Sequence, residues 1–147
     1  GTGTALVEAY DAEATATPVR LVNLSARTQV GTGDDVLIIG FVVTGNGPTT
    51  VLLRAVGPGL AQFGVGGVLT DPQLRLFAAG SETALHVNDN WDSGLAPTFA
   101  ATGAFALPVS SKDAALLVTL QPGAYTAVVS GVNNATGVAL VEVYEVP

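Results

Sequence analysis

Runs rich in Val, Leu, Ile and Thr recur from one end of the chain to the other, each closed within a few residues by Gly, Pro, Asn or Asp. Such runs are too short and too β-branched for amphipathic helices and match the pattern of half-buried or fully buried strands. Strands are expected near residues 4–10, 19–25, 36–44, 49–56, 73–78, 84–88, 114–120, 124–130 and 138–146. The reading is all-β: an antiparallel β-sandwich, jelly-roll-like, of about nine strands with almost no helix. Three turns are expected to be hairpins. Gly45-Asn46-Gly47 offers the positive φ angles of a tight loop, Gln121-Pro122-Gly123 suits a type II turn, and Asn133-Asn134-Ala135-Thr136-Gly137 is a longer connection. Residues 95–105 are Ala-rich, but Pro97 and Gly103 limit any helix there to a turn or two. The stretch from Gly57-Pro58-Gly59-Leu60 through residues 64–67 reads as irregular loop.

Composition narrows the classes of partner. The 147 residues are 48% hydrophobic and 12% charged, with 18 glycines and 8 prolines, and one domain of this size can bury a core. No apolar run approaches the roughly 18 residues a membrane-spanning helix requires. Net charge is −7, and the five basic residues, Arg20, Arg27, Arg54, Arg75 and Lys112, stand singly. A row of phosphates would go unneutralised, which argues against nucleic acid. There is no cysteine, hence no disulfide framework and no thiolate chemistry. Gly1 in the first position reads as the start of a processed product.

A duplication is the strongest sign of organisation. Thr2-Gly3-Thr4-Ala5-Leu6-Val7-Glu8-Ala9-Tyr10-Asp11 is repeated as Thr136-Gly137-Val138-Ala139-Leu140-Val141-Glu142-Val143-Tyr144-Glu145, with only the third and eighth positions changed beyond a carboxylate swap. The stretch between the copies has no duplicate. Three readings stay open. The first copy is the last strand of a preceding unit in a tandem array, with residues 12–18 as an extended linker; or it leaves its own body and pairs with another subunit by strand addition; or both copies are ordinary strands of one sandwich. The division that follows is a terminal strand at residues 1–12, exchanged with a neighbouring unit in the second reading, a linker at 13–18 and a sandwich body at 19–147. Alternation along the terminal strand sets Leu6 and Tyr10 on one face and Val7 on the other. Thr4, Leu6, Val7, Glu8 and Tyr10 are its candidate intersubunit residues.

The segments Arg20-Leu21-Val22-Asn23-Leu24-Ser25, Val30-Gly31-Thr32-Gly33-Asp34-Asp35-Val36-Leu37-Ile38, Arg54-Ala55-Val56-Gly57-Pro58 and Lys112-Asp113-Ala114-Ala115-Leu116-Leu117-Val118-Thr119-Leu120 together resemble a repeat domain of large secreted bacterial proteins. That domain occurs in tandem or at the C-terminus and ends in a strand like Val141-Glu142-Val143-Tyr144. The resemblance spans essentially the whole chain and implies a location and an architecture, with no activity attached. The second half, from Leu74 through Asn88-Asp89-Asn90-Trp91-Asp92 to Pro122-Gly123-Ala124-Tyr125-Thr126, is also similar to bacterial pre-peptidase C-terminal sandwiches, accessory domains of secreted enzymes.

Catalytic equipment is sparse. His86 is the one side chain poised to act as a base near neutral pH, it lies in a strand-like run, and no Gly-x-Ser-x-Gly nucleophile elbow occurs. Asp34 and Asp35 are neighbours in a turn, unlike the facing pair that glycoside hydrolysis needs. Gly-rich residues 64–67 lack the Lys-Ser/Thr of a phosphate loop. The candidate metal site is Asn88, Asp89, Asn90 and Asp92, whose spacing can offer oxygen ligands to Ca²⁺; against it, Ser93 and Phe99 stand where an EF-hand needs glycine and glutamate, and Asn and Asp in such a turn also cap their own backbone. Trp91, Phe99, Phe105, Tyr125 and Tyr144 are candidates for a sugar-binding platform.

The sequence is therefore read as a non-enzymatic structural subunit of an extracellular or cell-surface filament, sheath or repetitive surface protein. Its partners are copies of itself, joined through the N-terminal strand, and no cofactor is expected beyond the candidate Ca²⁺. The alternative is a carbohydrate- or surface-binding accessory module of a secreted enzyme, with a glycan as partner.

Overall fold

A computed structural model describes residues 7, 8 and 21–147. Eight strands form two antiparallel four-stranded sheets: β1 (Asn23–Val30), β2 (Leu37–Val43), β3 (Thr49–Val56), β4 (Pro72–Ala78), β5 (His86–Asn88), β6 (Ala114–Leu120), β7 (Gly123–Gly131) and β8 (Gly137–Glu145). One sheet has the order β1-β8-β3-β6 and the other β2-β7-β4-β5, the two-sheet arrangement of a jelly roll. A single α-helix among the described residues, α1 (Ala96–Thr102), ends at Gly103, within the limits that Pro97 and Gly103 set. Of the ninth expected strand, at residues 4–10, only Val7 and Glu8 are described, and they lie in neither strand nor helix; the expected 19–25 strand starts later and runs on, from Asn23 to Val30.

The three expected hairpins are not hairpins. Each of those turns carries the chain from one sheet to the other: β2 to β3, β6 to β7 and β7 to β8. Gly123 lacks the positive φ of a type II turn and instead opens β7, while within Gly45-Asn46-Gly47 only Gly45 takes a positive φ. Turn chemistry specifies that the chain reverses; which sheet the next strand joins depends on partners far away in sequence. Among the described residues, the one hairpin joins neighbours β4 and β5 within a sheet.

Two cores result. Between the sheets, Val51, Leu53 and Ala55 of β3 pack with Leu74 and Leu76 of β4, Ala127 and Val129 of β7, and Ala139, Val141 and Val143 of β8. The outer face of the first sheet is also covered. Leu52, Val56, Ala115 and Tyr144 meet Leu60 from a 3₁₀ turn at Pro58–Phe63, Phe99 of α1, Ala104 and Leu107. The stretch expected to be an irregular loop after Gly57 thus includes that 3₁₀ turn. β3 and β8 are consequently buried on both faces, which explains why they read as continuous apolar runs and not as alternating ones. The cover lies so close that a Cβ on Gly57 would stand 2.0 Å from the carbonyl oxygen of Leu69; only glycine fits there.

Candidate functional site

Alternation on β3 and β8 turns Arg54, Glu142 and Tyr144 toward the second core, with Arg54 opposite Glu142 and Leu52 opposite Tyr144 in the register. Arg54 is completely buried and Glu142 nearly so. Arg54 Nε donates to Glu142 Oε2 at 2.8 Å, and Nη2 lies 2.7 Å from the same oxygen as an ion-pair contact without hydrogen-bond alignment. Nη1 donates to the Phe105 carbonyl at 2.6 Å. The guanidinium carbon sits 4.7 Å from the Phe99 ring centroid and 4.3 Å from that of Phe105, close enough for cation–π attraction. Tyr144 donates its hydroxyl to the other oxygen of Glu142, at 2.7 Å. Charge, carboxylate and phenol therefore form one closed group in which nearly every polar atom is matched, as a buried ion pair requires.

Burial, reinforced by the hydrogen bond and the negative charge of Glu142, pushes the Tyr144 phenol far above its ordinary value of 10.0, with Arg54 pulling weakly the other way. A raised folded-state value means that the unfolded chain loses this proton first. Stability from this group is complete below about pH 10 and falls as pH climbs through the range where only unfolded tyrosine ionises. In an alkaline titration, Tyr144 is expected to ionise together with loss of the fold, and Tyr144→Phe to flatten that part of the stability profile. A Tyr144 that ionises reversibly within the native state would contradict this.

A second buried acid pins the cover. Asp113 Oδ1 accepts from the Gly57 and Gly59 amides at 2.8 and 3.1 Å, and Oδ2 accepts from Gly59 at 3.0 Å and from the Ser111 hydroxyl at 2.6 Å. The Trp91 indole donates to Ser111 Oγ at 3.1 Å, and the Trp91 amide donates to the Asp113 carbonyl at 2.8 Å. Outside, Lys112 pairs with Asp71.

The candidate sites from sequence fare differently. Asn88 Oδ1 accepts from the Ala115 amide at 3.0 Å while its Nδ2 donates to the Asn90 carbonyl at 2.9 Å. Asn90 donates to Asp89 Oδ1, and Asp92 Oδ1 caps the Gly94 amide at 2.8 Å. Asp92 thus takes the capping role such turns favour, whereas the side-chain oxygen of Asn88 is held by the distant strand β6. Among the described residues no three His, Cys, Asp or Glu side chains gather as a metal-holding group. The five aromatic candidates for a platform are divided between the cores: Tyr125 packs with Phe41 against the core between the sheets, and Trp91, Phe99, Phe105 and Tyr144 belong to the second. His86 is exposed on the short strand β5, whose register partner is β4. Of the intersubunit candidates, Thr4, Leu6 and Tyr10 lie outside the described residues; Val7 and Glu8 are exposed, in neither strand nor helix. Sequence reading misses the Arg54–Glu142–Tyr144 group and Asp113. The available signal is two opposite charges, each embedded in an apolar run, Val51-Leu52-Leu53-Arg54-Ala55-Val56 and Leu140-Val141-Glu142-Val143.

A pre-peptidase C-terminal domain shares this fold. The solved domain, from a collagenase of Bacillus anthracis, is 12% identical, with a TM-score of 0.51 over 83% of this chain and 89% of that one. No protein-family model matches the chain, and no curated protein matches it. The likeness agrees with the second of the two sequence resemblances and establishes the β-sandwich architecture. No helix among the described residues is long and apolar enough to cross a membrane.

Proposed function

We propose that the chain is a structural subunit of an extracellular filament, sheath or repetitive surface protein, assembled by strand addition through its N-terminal segment. One observation carries the reading: Val7 is 90% exposed, whereas Val141, the same residue in the second copy of the same sequence, is 0% exposed. A segment with the side chains of a fully buried strand thus presents one of them to solvent, and burying a valine is worth roughly 1.5–3 kcal/mol. The edge of the first sheet adds support. Among the described residues β1 pairs with β8 alone, and Leu24 within it and Leu21 and Val22 just before it are exposed; an unpaired sheet edge of this kind recruits strands. The buried ionisable groups Arg54, Glu142 and Asp113 are bound up in holding the fold, in keeping with a non-catalytic role. Secretion rests on the resemblance to repeat domains of secreted bacterial proteins.

The test is deletion of residues 1–12. The intact chain is expected to form filaments or regular oligomers in negative-stain microscopy and light scattering, and the deleted chain a folded monomer. Polymers that survive the deletion, or an intact chain that stays monomeric at every concentration, would overturn the proposal. A monomer would favour the accessory-module reading, in keeping with the fold of the collagenase domain.

A further inference from the structure

We infer that the outer face of the second sheet is a docking surface for a partner protein that presents a carboxylate among apolar side chains, with Arg75 as the receiver. This contact is separate from strand addition and needs neither the N-terminal segment nor the edge of β1. Alternation sends Leu37, Ile39, Leu74, Leu76, Ala127 and Val129 into the core between the sheets, so the residues between them point the other way. The register then sets Ile38, Val128, Arg75 and Val87 side by side across all four strands, a row about 14 Å long at the usual strand spacing. Gly40, Thr126 and Phe77 form the next row, and Val42 lies opposite Ala124 beyond it. Ile38, Val42 and Val87 are each more than half exposed. The first sheet hides its outer face beneath a 3₁₀ turn and α1, whereas these side chains stay open to solvent. Single exposed apolar residues are ordinary; a contiguous apolar face marks a contact surface.

Charge selects the partner. In a chain of net charge −7, β2, β4, β5 and β7 contain no Asp or Glu, and Arg75 is the single arginine or lysine among them. Its guanidinium carbon lies 5.9 Å from the Phe77 ring centroid, and its Nε, shut off from solvent, has no hydrogen-bond acceptor. Asp89, just past β5, accepts from Asn90 instead. Arg54 shows what an arginine takes in this fold: on the other sheet's outer face it has two aromatic rings and a carboxylate. Arg75 has the ring and lacks the acid. A guanidinium holds a carboxylate in a bidentate fork, so an incoming Asp or Glu satisfies the orphaned N–H once the side chain lifts off Phe77. A second copy joined face to face would bring one Arg75 toward the other, with no acid in any of the strands to answer the like charge.

The full-length chain, isotope-labelled for NMR, is titrated with two blocked peptides that alternate valine and threonine about a central residue, Glu in one and Gln in the other. The Glu peptide is expected to shift the amides of β2, β4, β5 and β7, and the Gln peptide to bind roughly tenfold more weakly, the worth of one charged hydrogen bond. Arg75→Gln should erase that difference, and Ile38→Ser/Val87→Ser should weaken both peptides alike. Because the Arg75 Nε bonds to nothing, Arg75→Gln should not lower the thermal midpoint. Failure of both peptides to bind, equal binding of the two, or a preference for Glu that survives Arg75→Gln would overturn the inference. So would a lowered midpoint, which would make Arg75 a part of the fold. Shifts of the same amides that grow with protein concentration in the absence of peptide would give the face to a second copy and overturn it as well. None of these results bears on the deletion of residues 1–12, so the two proposals fail separately.

Discussion

Arg54→Ala is expected to destabilise the fold by roughly 3–5 kcal/mol, the cost of leaving one member of a buried ion pair without its partner. For a domain of this size that corresponds to a fall of roughly 10–20 °C in the thermal midpoint. The loss is larger than that of an ordinary surface arginine because three contacts go together. Glu142 keeps only the Tyr144 hydroxyl as a hydrogen-bond donor, the Phe105 carbonyl loses its 2.6 Å donor, and the faces of Phe99 and Phe105 lose the cation packed against them. The paired change Arg54→Met/Glu142→Leu removes both charges and is expected to recover much of the loss, since apolar side chains of similar volume satisfy a buried site about as well as an ion pair. Thermal denaturation followed by circular dichroism, read as a double-mutant cycle, checks both statements. If the paired variant were no more stable than Arg54→Ala, the group would owe its effect to shape and not to charge.

Asp113→Ala is expected to cost a comparable amount, about 3–5 kcal/mol, for a different reason. It leaves the Gly57 and Gly59 amides and the Ser111 hydroxyl without the acceptor that now serves all three, and each buried donor left unsatisfied costs roughly 1–3 kcal/mol. Asp113→Asn keeps one acceptor oxygen and should lose less. Hydrogen exchange discriminates a local from a global effect: the Gly57 and Gly59 amides should become the fastest-exchanging members of the cover in Asp113→Ala, while β4 and β7 amides keep their protection. Uniform acceleration would mean that the cover and the sandwich unfold as one unit.

Much of the strand content is legible in the order of residues, and for local reasons. Continuous apolar runs at 49–56, 114–120 and 138–146 form β3, β6 and β8 almost residue for residue; in β3 and β8 burial on both faces leaves little polarity to blur the pattern. The helix α1 is equally plain, since proline near its start and glycine at its end act on the backbone directly. β1 begins later than its apolar residues suggest: Asn23, Ser25, Arg27, Thr28 and Gln29 are exposed, and an edge strand open on both sides carries no apolar signal. The turns lie where their residues indicate but lead elsewhere. A short loop reports a reversal, whereas β2 joining β7 and β3 joining β6 and β8 depend on side chains many tens of residues apart.

The candidate site divides along the same line. The sequence by itself determined an all-β chain, its punctuation and the duplicated segment, since each is written in contiguous residues. Only the tertiary structure decided that the sandwich has a covered outer face, and that Arg54 and Glu142, separated by 88 positions in the chain, meet within it. Nothing local distinguishes a charge bound for water from one bound for a core. That choice is made by whatever packs over the strand, and here it is the 3₁₀ turn after Gly57 together with α1 and the residues that follow it to Leu107, packed across β3 and β8, that encloses both charges and leaves each the other as its partner.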